Sequence, residues 1–125
     1  MKRLFSLLCL LVFLSACGTT PTPPANGGVE GHVTIGPTCP VVQLNNPCPD
    51  KPYQATLAIL DPAGTKVLQS FQTDANGYFH IVLAPGNYLL RPKTSGRYPI
   101  AHDQPFTVQA GAFTSLDVTY DSGIR

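Results

Sequence analysis

From Val29 onward, apolar and polar positions alternate with period two, and no window of ten or more residues keeps a helical period uninterrupted by Gly or Pro. This pattern predicts strands. Val29, Gly31, Val33 and Ile35 share one face of a first strand, with Glu30, His32 and Thr34 opposite. Tyr53, Ala55, Leu57 and Ile59 form the inward face of a second strand, and Val67, Gln69, Phe71 and Thr73 that of a third. In a fourth, Phe79, Ile81 and Leu83 face inward, against Tyr78, His80 and Val82. Tyr88 and Leu90 mark a fifth, Phe106 and Val108 a sixth, and Leu116, Val118 and Tyr120 a seventh. Strands with one apolar and one wet face, separated by turn residues, predict an all-β, seven-stranded antiparallel sandwich over residues 29–125.

The first 28 residues follow different rules. Met1-Lys2-Arg3 is a cationic start, and Leu4 to Phe13 is an apolar run broken only by Ser6 and Cys9. Residues 1–16 are therefore expected to be a secretory signal, too short for a permanent span of about 20 apolar residues. Leu14-Ser15-Ala16-Cys17 resembles the lipobox of bacterial lipoproteins. That resemblance implies removal of residues 1–16 and acylation of Cys17, which would anchor the chain to the extracytoplasmic face of a bacterial membrane, an outer membrane included. Residues 17–28 then hold the lipidated Cys and a Pro/Gly-rich tether without charge or large apolar side chains.

Composition supports the strand reading and narrows the partners. With 13 Pro, 11 Gly, no Trp and 12% charged residues, the chain suits short strands and turns rather than helices. Formal charge is +1 overall, and −1 once Lys2 and Arg3 are discounted. Such a balance argues against nucleic acid as a partner.

The turns carry the most specific local signals. In Thr73-Asp74-Ala75-Asn76-Gly77 the Asp74 side chain can accept from amides two residues on, and Gly77 or Asn76 can take the positive φ that closes a hairpin. Asp61-Pro62-Ala63-Gly64 and Ala84-Pro85-Gly86-Asn87 read as two further tight turns. Thr73-Asp74-x-Asn76-Gly77-x-Phe79 followed by Leu83-x-Pro85-Gly86-x-Tyr88-x-Leu90, with an opening Val29-x-Gly31-x-Val33, resembles the carboxypeptidase regulatory-like family. That family is akin to transthyretin-like and collagen-adhesin B-type modules. The resemblance implies a prealbumin-like or Ig-like Greek-key sandwich, usually a non-catalytic accessory module of secreted or surface proteins.

One segment departs from that pattern. Gly36 to Pro52 inserts 17 residues with five prolines where a short connection is usual. Cys39 and Cys48 are the cysteines left once Cys9 is removed and Cys17 is acylated, and in an exported protein the pair is expected to form a disulfide. The staple either tames the loop or presents Val41, Val42 and Leu44 as a preordered apolar contact for an envelope protein or polymer. Those side chains could equally fold back over a sheet edge.

No catalytic, metal or cofactor site is expected. His32, His80 and His102 have no ligand spacing, Asp74-x-Asn76 lacks the later Glu of a calcium loop, and no serine sits in a nucleophile motif. An alternative is a carbohydrate or small-molecule binder using Tyr53, Tyr78 and Tyr98 as stacking surfaces, with Lys93 and Arg97 in the irregular segment 92–105 nearby.

Overall fold

The computed structural model describes residues 18, 26–41, 44, 45 and 47–125. The predicted signal, Cys17, most of the tether and Val42 lie outside the described residues. Among the described residues nine strands follow one another: β1 (Gly27–Gly36), β2 (Lys51–Pro52), β3 (Thr56–Leu60), β4 (Val67–Gln72), β5 (Tyr78–Leu83), β6 (Gly86–Pro92), β7 (Gln104–Val108), β8 (Phe113–Ser115) and β9 (Val118–Asp121). No helix occurs among the described residues.

β1 is the spine of the first sheet. Its first half pairs antiparallel with β5, from Gly27 opposite Leu83 to His32 opposite Tyr78. Its second half pairs with β2, Thr34 opposite Pro52 and Ile35 opposite Lys51. Along the other side of β1 run β8, beside Gly28 to Glu30, and β9, beside Val33 to Gly36. The second sheet has the order β4-β3-β6-β7 and is antiparallel throughout. β1 begins at Gly27, so Gly27 and Gly28 belong to the sandwich rather than to the tether.

The inward faces meet as the alternation requires. Val29, Val33, Leu57, Ile59 and Leu90 have no exposed surface, and Phe79, Phe106, Val108, Val118 and Tyr120 complete the core. Burying each such side chain is worth about 1.5 to 3 kcal/mol. The Tyr120 hydroxyl, carried inward with its ring, donates to the Lys93 carbonyl at 2.9 Å, which meets the requirement that a buried polar group find a partner.

Three features differ from the sequence expectation, each for a local reason. The expected second strand is shortened to Thr56–Leu60 in the second sheet, and Lys51–Pro52, the end of the expected insertion, pairs with β1 in the first. The chain changes sheets across Tyr53–Ala55: the Tyr53 amide still donates to the Val33 carbonyl (2.9 Å), while the Ala55 amide reaches Thr73 Oγ1 (2.9 Å). The expected seventh strand appears as β9 without Leu116, an additional strand β8 precedes it, and both run parallel to β1 rather than antiparallel. β7 descends in the second sheet and the Gln109–Ala112 turn reverses the chain into the first, so β8 must run in the direction of β1.

The third difference concerns β4. The alternation places Val67 inside, yet it is 57% exposed and Leu68 47%. The β3–β4 ladder slips between Ile59 and Leu60, so that Leu60 faces Val67 and Leu68 is the extra residue. Such a bulge bends an edge strand and re-aims its side chains. Only Phe71 and the buried Thr73 keep the inward placement.

Candidate functional site

The sandwich has two ends, about 33 Å apart along the ten residues of β1. At one end the chain enters at Gly27, beside the turns Asp61–Lys66, Ala84–Gly86 and Gln109–Ala112. We call this the tether pole. At the other lie the inserted loop, the Thr73–Gly77 turn, the 93–103 segment and the C-terminal residues; this is the loop pole.

The loop is held at its base and open at its crown. Ser122 grips the first residues, its amide donating to the Gly36 carbonyl (2.9 Å) and its hydroxyl to the Pro37 carbonyl (2.6 Å). The Thr38 hydroxyl closes across to the Pro49 carbonyl at 3.2 Å. Between them Cys39 and Cys48 form a disulfide, their Cα atoms 6.0 Å apart. Beyond the staple Val41 is 70% exposed and Leu44 fully so. These two side chains stand in solvent and do not fold back over a sheet edge.

The turn motif is a structural device of the same pole. Asp74 Oδ1 accepts from the amides of Asn76 (2.9 Å) and Tyr78 (2.8 Å), and the Asp74 carbonyl accepts from Gly77 (3.0 Å). Gly77 takes the positive φ, +75°. Its carbonyl accepts from the Val33 amide at 2.7 Å, and a Cβ there would collide with the Val33 carbonyl. The turn does not close a hairpin within one sheet, because β4 and β5 belong to different sheets. Pro85-Gly86 makes the second such crossing, from β5 to β6.

The three tyrosines of the carbohydrate alternative have separate neighbours. The Tyr53 ring packs edge-on against Tyr120 at 5.0 Å and is half-buried. Burial, then Tyr53, push the Tyr120 hydroxyl up to about 12. Tyr78 leans on His32 (5.3 Å), and Tyr98 lies against Gly123, with the Arg97 and Arg125 guanidiniums 6.0 and 5.9 Å from its ring centre. Arg125 also pairs with Asp121 at 2.8 Å, which holds that carboxyl below its ordinary range.

His80 pairs with Glu30 at 3.0 Å and stacks on Phe113 at 4.1 Å. Among the described residues, no three or more His, Cys, Asp or Glu side chains gather as a metal site.

Two shallow depressions, absent from the sequence reading, meet at Lys93. One of about 490 Å³ lies over Thr56, Ala58, Ser70 and Arg91; another of about 250 Å³ lies between Tyr53, Gln72, Ser95 and Tyr120. The signal that marks the first is a set of small residues at outward strand positions, Ala58 opposite Ser70. Arg91 is committed to Asp103 by two hydrogen bonds of 3.0 and 2.9 Å, which raises its proton affinity.

No protein-family model matches the sequence, and no curated protein matches it. Its fold is similar to solved structures. One is the crystal structure of GBS52, the minor pilin in the Gram-positive pathogen Streptococcus agalactiae, with a TM-score of 0.60 and 11% identity over 79% of this chain and 45% of that one. Another is the Bacillus anthracis TIE protein, with a TM-score of 0.52 and 17% identity over 78% of this chain and 17% of that one. This chain spans less than half the length of the first and under a fifth of the second. At such identities the likeness shows the fold, a β-sandwich, and function has to be argued from the site.

Proposed function

We propose that this chain is a bacterial lipoprotein with a carboxypeptidase regulatory-like sandwich, held by acylated Cys17 on the extracytoplasmic face of a membrane. Its work is non-catalytic: it presents the stapled loop as a contact for an envelope protein or polymer. The observation that carries this reading is the placement of Leu44 and Val41, open to solvent on a loop fixed at both feet, at the end farthest from Gly27. Preordering lowers the entropic cost of docking, and apolar anchors at the centre of a contact supply most of its energy. The likeness of the fold to a minor pilin agrees with a structural or surface role.

Two measurements test it. Metabolic labelling with a fatty acid should mark the wild type and not Cys17→Ser, which should leave the membrane fraction altogether. A Cys17→Ser protein that keeps label overturns the anchor. In pull-downs from membranes, a Val41→Asp, Leu44→Asp double variant should lose at least tenfold of the partner recovered by wild type. Equal recovery removes the loop from the contact.

A further inference from the structure

The tether pole differs from the rest of the surface. Its three turns consist of Pro, Ala, Gly, Thr and Gln, with Asp61 and Lys66 as their charges. Asp61 is turned into its own turn: Oδ1 accepts from the amides of Thr65 (2.8 Å) and Lys66 (3.1 Å), and Oδ2 from the Thr65 hydroxyl (2.8 Å). At the same end, on the outer strands β4 and β5, stand Val67, Leu68 and Val82, 57%, 47% and 56% exposed. Single exposed apolar side chains are ordinary, whereas here three stand at the same end of the sandwich, Val67 and Leu68 on an edge strand of the second sheet and Val82 on the outward face of the first. The bulge in β4 frees the first two, and the outward face of β5 carries the third.

The position of the chain entry suggests what covers them. Gly27 lies at this pole, and Cys17 precedes it by ten residues, which reach at most about 35 Å when extended. We propose that the tether pole rests on the lipid bilayer, with Val67, Leu68 and Val82 in the headgroup layer and Lys66 beside them among the phosphates. β1 then stands away from the membrane and carries the stapled loop outward. A second copy of the chain suits the patch less well: three partly exposed side chains fall far short of the roughly 1,200 Å² that a stable interface buries. A bilayer held within tether reach needs no such area, because the anchor supplies the local concentration. Apolar side chains flanked by a snorkelling lysine match an interfacial lipid environment.

This inference rests on the acylation of Cys17, and the experiment separates the two. Full-length protein is purified in detergent, its intact mass is measured, and it is reconstituted into vesicles of phosphatidylethanolamine and phosphatidylglycerol. A polarity-sensitive fluorophore is placed in turn on Val82→Cys, Ala63→Cys and, at the loop pole, Leu44→Cys. On acylated protein, quenching by aqueous iodide should be at least threefold weaker at positions 82 and 63 than at 44. A Val67→Ser, Leu68→Ser, Val82→Ser variant, folded by circular dichroism, should raise quenching at position 63 to the level at 44 while its mass still shows the acyl chains. Equal quenching at 82 and 44 on acylated protein, or protection at 63 that survives the three serines, overturns the docking and leaves the lipoprotein reading intact. A mass without acyl chains overturns the lipoprotein reading itself, and the tethered geometry with it.

Discussion

The two poles of this sandwich are built from different materials. The loop pole carries a disulfide, a long Pro-rich insertion, and charged side chains from Asp50 and Lys51 through Lys93 and Arg97 to Asp121 and Arg125. The tether pole has three short turns of small, mostly uncharged residues and a few branched apolar side chains at its flank. Each pole holds two of the points where the chain changes sheets, those of the tether pole being Ala84–Gly86 and Gln109–Ala112. At the loop pole the chain changes sheets at Tyr53–Ala55 and again at Asp74–Gly77, and Ser122 ties the C-terminal segment to the foot of the loop. The proposed partner contact would sit on the stapled, polar end, and the proposed membrane contact would use small turns and exposed methyl groups.

If the loop pole is the structural keystone, substitutions there should cost more than matched ones at the tether pole. The largest effect is expected for Gly77→Ala, which forces a φ of +75° on a residue with a Cβ and drives that Cβ into the Val33 carbonyl. Urea unfolding should show a loss of about 2 to 4 kcal/mol, from αL strain plus the disturbed Val33–Gly77 hydrogen bond. Removing the staple with Cys39→Ser, Cys48→Ser should follow at about 2 to 3 kcal/mol for a loop of about ten residues. Gly64→Ala is the tether-pole match, with a φ of +72°. Its Cβ would meet the mobile end of Leu89 at 3.0 Å, so about 1 to 2 kcal/mol is expected. A Gly64→Ala cost equal to that of Gly77→Ala would erase the contrast between the poles.

The smallest effect is a pH dependence at the tether pole. The Lys66 amide first, then the Thr65 hydroxyl and amide, hold the Asp61 carboxyl below the usual carboxylate range. A depressed folded-state value means the contribution is fully present above the unfolded value and is lost as pH falls through the folded one. The stability difference between wild type and Asp61→Asn should therefore shrink as pH is lowered from about 5 to about 3. A difference that grows over that range contradicts the turn geometry.

Much of this molecule is legible in the alternation of its residues. Val29, Val33, Leu57, Ile59, Leu90, Phe106, Val108, Val118 and Tyr120 are predicted inward and are buried, because a half-buried strand leaves its period in the sequence. Val82 is predicted outward and stands exposed. Val67 is the instructive failure. Its position in the alternation is right, but one extra residue in the ladder turns it to solvent, and a bulge has no period-two signature. The staple joins the expected pair Cys39 and Cys48, and Val41 and Leu44 stand exposed on a loop whose foot Ser122 holds, 85 residues from its partner Pro37. The depression over Ala58 and Ser70 depends on the pairing of β3 with β4, which sets two small outward residues opposite each other.

By itself, the sequence determined that the chain makes strands, which faces they bury and where they turn. These are local properties, decided within a few residues by side-chain chemistry and backbone preference. Which strands become neighbours was decided only by the tertiary structure. It set β8 and β9 parallel to β1, shortened the strand expected through Tyr53, and gathered Gly27, Val67, Leu68 and Val82 at one end with Leu44 at the other. Pairing joins residues far apart along the chain through main-chain groups that every residue shares, so no single residue type announces it.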